Sequence, residues 1–226
     1  MAKVKQKNGN DTRRGKILLT AARLFIGQGY ENTGMRQIAE EAGVSLSLAN
    51  YHFGSKRAIG IRLIRGHLRT LQPFVFEHTS YDERLFTATL LRLNYDLMTR
   101  KHLKKFYDDT LLNDIYLEAI ISGNVEKSKQ RSLSKEQMYW VISDSYLTVS
   151  MERALVICPF SDLLDEDVPD FIIRNLKYYT SNGNDVEHEP EWYVQKSRDI
   201  AKHIMEEYPH LLNIFEDIPK HMDEYM

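Results

Sequence analysis

Apolar residues recur along this chain at intervals of three and four, and alternation of the strand type is nearly missing. Ile17, Leu18, Ala21, Leu24 and Phe25 make one apolar face of a helix predicted from about Thr12 to Gln28, which Gly29 stops. Thr33 is placed to cap a short second helix, in which Met35, Ile38, Ala39 and Ala42 repeat at i, i+3, i+4 and i+7. Gly43 ends it, and Ser45 caps a third short helix through about Tyr51, with Ala49 and Phe53 turned inward. Ser55 caps a long fourth helix carrying Ile61, Ile64, Leu68 and Leu71, expected to end near Pro73.

The remainder also reads as helical. Ser80-Tyr81-Asp82-Glu83 has the form of a capping box and opens a helix with Leu85, Ala88, Thr89, Leu93 and Leu97. His102 to Ile121 is predicted helical, and the polar stretch Ser122 to Ser132, with Gly123-Asn124, is predicted to be a loop. Ser134-Lys135-Glu136-Gln137 is a second capping box, opening a long apolar helix to about Cys158 that Pro159 stops. Pro169 suits the first turn of a helix ending near Thr180, and a last long helix runs from about Pro190 to Tyr208. The pattern predicts an all-α protein: a three-helix head over 12–54, a flexible basic arm over 1–11, and a larger helical body over 55–226.

With 226 residues, 42% of them apolar, the chain can bury one large core or two small ones. No apolar run approaches the roughly 18 residues of a membrane helix, and the polar N-terminus has no apolar segment of a secretory signal. The single cysteine, Cys158, excludes an internal disulfide framework and suits a reducing cytoplasm. The formal net charge of -2 conceals a split. Residues 1–70 hold thirteen Lys/Arg against four Asp/Glu, net +9, and residues 71–226 hold seventeen against twenty-eight, net -11. A basic head on an acidic body predicts that only the head meets a polyanion.

The second and third helices, joined by Gly43-Val44-Ser45, have the proportions of a helix-turn-helix, which a plain helical hairpin shares. Arg13, Arg14 and Lys16 near the start of the first helix, and Lys56 and Arg57 at the start of the fourth, oppose the helix dipole at ~0.3–1 kcal/mol each. A bound phosphate would reverse that sign. Enzymatic motifs are missing: there is no His-Glu-x-x-His, no Gly-x-Ser-x-Gly and no phosphate-cradling glycine loop. His188, His203 and His210 lack metal spacing, and the acidic run Asp162 to Asp170 lacks the glycine of a calcium loop. The sequence therefore predicts no enzyme, no metal site and no cofactor.

Thr33-Gly34-Met35-Arg36-Gln37-Ile38-Ala39-Glu40-Glu41-Ala42-Gly43-Val44-Ser45, followed by Tyr51-His52-Phe53-Gly54-Ser55-Lys56, resembles the DNA-binding head of the TetR family of bacterial transcriptional regulators. Ala22-Arg23-Leu24-Phe25 and Gly29-Tyr30 fit the same pattern, and the resemblance covers about residues 12–65. It implies an all-α homodimer, each subunit offering a helix-turn-helix head and a helical body that binds a small-molecule effector, released from a palindromic double-stranded DNA operator when the effector binds. Carried over, Ser45, Leu46, Ser47, Asn50, Tyr51 and His52 face DNA, Lys56 contacts phosphate, and Thr33, Gly34 and Arg36 approach the backbone. Leu48 and Asn50 depart from the family pattern, which usually has a small or polar residue and a tyrosine there. Asn50 suits either a bidentate contact to adenine or a phosphate contact.

In the body, Tyr95, Tyr116, Trp140, Tyr146 and Arg153 are candidates for the effector site: aromatics to line it, and Arg153 to anchor an anion. Against this stand ordinary aromatic core packing and an ion-paired or partly exposed arginine. The resemblance places dimerisation near the C-terminal end, on the helices around 166–180 and 190–208, packed as a four-helix bundle. A body that only dimerises, or binds a protein partner, is the alternative.

Overall fold

The computed structural model describes residues 9–80, 82–130, 134–158, 167–175 and 188–216, without the side chains of 9–12, 127–130, 140, 141 and 144. Among the described residues there are ten α-helices and no strand. Three short helices come first: α1 (Gly9–Gln28), α2 (Met35–Glu41) and α3 (Leu46–Phe53). Ile17, Leu18, Ala21, Phe25, Ile38, Ala39 and Ala49 are buried between them, and Leu24 and Phe53 are nearly so. The turn from α2 to α3 closes in a Schellman motif. Gly43, at φ 67°, donates to the carbonyl of Glu40, and Val44 donates to that of Ala39. Ser45 then caps α3, its Oγ accepting from the amide of Leu48 at 3.2 Å. Two expected features differ. Helix α1 begins at Gly9, so Arg13, Arg14 and Lys16 lie past its first turn. The N-cap of α2 is Gly34, because the Thr33 hydroxyl donates instead to the carbonyl of Gly29 at 2.9 Å.

Helix α4 (Lys56–His78), capped by Ser55, leads out of the head and runs on past Pro73. Proline removes one helix hydrogen bond, but this one lies on the exposed face, where the freed carbonyl meets water. Leu71 and Val75, fully buried on either side of it, hold the helix to the body. Next comes α5 (Glu83–Met98), capped by Asp82 rather than Ser80; the carboxylate of Asp82 accepts from the amides of Arg84 and Leu85. The segment expected as one helix over 102–121 is two, α6 (Lys104–Leu112) and α7 (Ile115–Gln130), broken where Asp114 adopts φ 56°. The expected loop over 122–132 is helical as far as Gln130. Tertiary contact overrides the weak propensity of Gly123-Asn124: Asn124 donates to Ser145 at 2.8 Å, and Glu126 accepts from Arg65 and Arg69 of α4.

Helix α8 (Lys135–Ile157) opens with the expected capping box, in which Ser134 and Gln137 bond reciprocally. Helices α9 (Val168–Asn175) and α10 (Pro190–Glu207) follow, then a short 3-10 turn over Pro209–Asn213. Residues 176–180, expected to continue the α9 helix, and the expected loop over 181–187 lie outside the described residues. Arg92 of α5, almost fully buried, pairs with Asp167 and Asp170, and Arg198 of α10 reaches Asp170 from the other side. Burying Arg92 and Asp170 is tolerable because they pair with each other and with the partly exposed Asp167 and Arg198.

One continuous apolar core joins head to body. Phe25 stacks on Phe106 with centroids 5.9 Å apart. Gly60 of α4 lets Ile115 approach so closely that an added Cβ would stand 3.2 Å from it. The end of α1 is capped by α6: Lys105 donates to the carbonyl of Gln28 at 3.1 Å, and the Tyr30 amide donates to Asp109 at 2.8 Å. Gly29, at φ 97°, makes this possible, since a Cβ there would lie 2.8 Å from the Lys105 ammonium.

In the middle of the body a polar chain is buried. Tyr107 donates to Glu152, the Asn94 amide donates to the Tyr116 hydroxyl at 2.6 Å, and His67 Nε2 donates to Asn94 Oδ1 at 3.0 Å. Burial pushes the Glu152 carboxyl up to about 7, against the opposing hydrogen bond from Tyr107. Burial likewise holds His67 neutral, lowering it to about 4.

Two outcomes are expected. Folded Glu152 keeps its proton to a higher pH than the unfolded chain does. Its contribution is therefore complete below about pH 4.5 and is lost as the pH rises through about 7, on the order of 2–3 kcal/mol. Asp96, raised to about 6 by burial, acts in the same direction at lower pH. Urea midpoints of Glu152→Gln should lose the decline that the wild type shows between about pH 4.5 and 7. Gly29→Ala should cost about 1–2 kcal/mol in the same assay, because alanine resists the left-handed backbone and displaces Lys105.

Candidate nucleic-acid interface

The outer face of α3 is set by its inner one. Ala49 and Phe53 are buried, so Ser47, Asn50 and Tyr51, at i, i+3 and i+4, turn to solvent. Tyr51 is 81% exposed, an uncommon position for an aromatic ring, and meets the ring of its neighbour His52 edge-on. Ser45 shares this face, its hydroxyl 3.0 Å from that of Ser47, while Leu46 is half-buried against the core. Asn50 projects freely, and Arg36 is exposed on α2.

A basic patch borders α3. Burial and the charges of Arg14 and Arg13 together lower His52, keeping its ring neutral, and its Nε2 is buried without a partner. Arg62 of α4 lies 5.9 Å from the Phe53 ring, and its guanidinium is crowded by Arg14, Arg65 and Arg69. Arg13 and Arg14, close enough to His52 to lower it, place positive charge beside this helix face, which a polyanion would relieve.

The other predicted residues divide. Gly34 is exposed at the start of α2, but Thr33 is buried and committed to the Gly29 carbonyl, so its side chain is withdrawn from any ligand. Lys56 is half-buried, its ammonium 2.9 Å from the Tyr30 carbonyl and 4.0 Å from that ring's centroid, and so binds the head together. Arg57 is neutralised from within: it pairs with Glu118 and donates to the carbonyls of Asn113 and Asp114. The cations at the start of α4 therefore have protein partners, which the sequence spacing could not show.

Of the predicted effector residues, Tyr95 and Tyr116 come together around Tyr107, with ring centroids 6.5 and 5.4 Å from it. Tyr95, half-buried, is pushed up to about 12 by burial and by the nearby Glu152. Tyr146 does not join them, being 55% exposed on α8. Arg153 points outward to pair with Asp114, because the inward position on that turn of α8 belongs to Glu152. The Trp140 side chain lies outside the described residues. Sequence reasoning did not place Glu152 or His67 in the site; Glu152 is one of three acids in the 135–157 stretch, with Glu136 and Asp144, and spacing alone does not tell which of them is buried.

The family described as bacterial regulatory proteins, tetR family, matches residues 17–62. Over 118 residues the chain is 29% identical to the HTH-type transcriptional activator FasR of Mycolicibacterium smegmatis, covering 51% of this chain and 53% of that one. It is 45% identical over 67 residues to the HTH-type transcriptional regulator BetI of Agrobacterium fabrum, covering 29% and 32%. To the HTH-type transcriptional repressor KstR2 of Rhodococcus jostii it is 30% identical over 97 residues, covering 42% and 48%. The matches thus span about a third to a half of each relative's length. The similarity to the TetR family of bacterial regulatory proteins is thus carried by the helix-turn-helix head, residues 17–62.

Proposed function

We propose that this protein is a homodimeric, effector-responsive transcriptional regulator that holds a palindromic DNA operator and leaves it when a small molecule binds the body. The observation that carries the reading is the outer face of α3, with Ser47, Asn50 and Tyr51 exposed beside Arg13, Arg14 and Arg62. In this reading residues 12–54 bind DNA and residues 55–226 bind effector and partner. Asn50 reads a base edge, and Arg36, Tyr51 and His52 hold phosphates. The relatives are named both activator and repressor, and we take repression, by occlusion of the promoter, as the sign here.

The effector site of this reading lies around Tyr95, Tyr116 and the buried chain beside them. His67 donates through Nε2, which leaves Nδ1 as a buried lone pair without a partner. A ligand that donates one hydrogen bond would satisfy it. For the dimer we favour α8 and α9 over the pair α9 and α10. The exposed face of α10 is polar throughout, from Glu191 to Glu207. Tyr146, Leu147 and Ile157 of α8 and Phe171 of α9 are large, apolar and exposed.

A gel shift against the DNA flanking the protein's own gene, with a salt series, tests the reading. Specific binding at a palindrome is expected, with log K falling against log salt at a slope of about -5 if ~6 phosphates are neutralised. Arg36→Ala should weaken all sequences alike and reduce that slope by about 1. Asn50→Ala should cost about 1–3 kcal/mol at the operator and relax preference at one position. If neither variant differs from wild type, α3 is not the reading helix. A promoter fusion that rises when the protein is deleted supports repression, and one that falls makes it an activator. Tyr146→Glu with Leu147→Glu should shift the protein from dimer to monomer in sedimentation. An unchanged dimer would put the interface elsewhere.

A further inference from the structure

Three donor atoms, one from α4 and two from α10, converge where the last turn of α4 lies against α10. They are Nε2 of His78, Nε2 of His203 and a carboxylate oxygen of Glu207, all within 4.8 Å of one another. We propose that they bind a divalent metal ion of the zinc class.

The ring of His78 is already set for the task. Its Nδ1 stands 2.7 Å from the carbonyl oxygen of Phe74. A carbonyl only accepts, so Nδ1 carries a proton, and Nε2 is the ring nitrogen left to ligate. Metal-bound histidines are oriented by this kind of backbone bond. His203 and Glu207 stand four residues apart on α10, one turn along the same face.

The distances fit. Glu207 Oε2 lies 3.6 Å from His78 Nε2 and 3.4 Å from His203 Nε2. A tetrahedral zinc with bonds of about 2.0–2.1 Å sets its donors about 3.3 Å apart. Two edges of that tetrahedron are therefore nearly formed, and the third closes by rotation of His203, which is exposed and free to turn. Two imidazoles and one carboxylate suit zinc and its borderline neighbours, and do not suit calcium or magnesium, which require oxygen ligands. His78 and His203 also line a cleft of about 610 Å³, together with Asp82, His188, Trp192 and Lys196. Converging lone pairs call for a cation between them, and a proton shared in an ordinary His–Glu ion pair is the competing occupant.

The site is independent of DNA binding, so metal titration tests it alone. Chelator-stripped protein is titrated with ZnCl2 against a chromophoric competitor. One zinc per chain is expected at this site. His203→Ala and Glu207→Gln should each weaken it by at least about tenfold. Both side chains are exposed, so neither change disturbs the core. His102→Ala, at an exposed histidine outside the cluster, should leave the affinity unchanged. Cobalt(II) in place of zinc should give visible absorption bands that His203→Ala abolishes. No zinc uptake by the wild type, or uptake equal in His78→Gln, His203→Ala and Glu207→Gln, overturns the proposal and leaves an ion pair.

Discussion

Helix α4 is buried along one side from Ile59 to Val75, and both halves of the molecule are positioned against it. Its first turn closes the head, through the Ser55 cap and the Lys56 ammonium on Tyr30. Gly60 in its second turn admits Ile115 of the body to near contact. Its last turn reaches α10 through His78. One continuous helix therefore touches the head at its first turn and the body along the rest of its length. The caps that α6 places on the end of α1, through Lys105 and Asp109, add a second rigid connection. Both connections rest on glycines that let neighbouring groups come where a side chain would stand.

Charge is divided along the same line. Cations of the head that turn inward are neutralised by acids of the body: Arg57 by Glu118, and Arg65 and Arg69 by Glu126. Arg13 and Arg36 turn outward. Arg13 and Arg36 thus leave positive charge at the surface of the described head, while most of the acidic residues belong to the body. The buried polar chain from Glu152 to His67 is of another kind. It is costly to bury and is incompletely satisfied, which suits a place where a ligand completes the bonding.

The head was largely legible in the sequence because its logic is short-range. Caps at Ser45 and Ser55, the left-handed turn at Gly43 and the inward Ala49 and Phe53 are each set by residues within four or five positions, as is the Ser134 cap in the body. Exposure of Ser47, Asn50 and Tyr51 follows from the same periodicity. The sequence was misleading wherever a local preference was weaker than a distant contact. Pro73 did not end α4, because buried Leu71 and Val75 outweigh one lost hydrogen bond on a wet face. Gly123-Asn124 did not open a loop, because Asn124 and Glu126 are held by α8 and α4.

By itself, then, the sequence determined helical character, the helix-turn-helix and the face it offers, since these depend on periodicity and capping. Only the tertiary structure decided which charges remain free. Arg57 and Lys56 looked available for phosphate until Glu118 and Tyr30 came within reach. It also decided that Arg153 faces out while Glu152 faces in, since which side of α8 is buried depends on what packs there. And it brought His78 to His203 and Glu207, a juxtaposition that no spacing along the chain encodes.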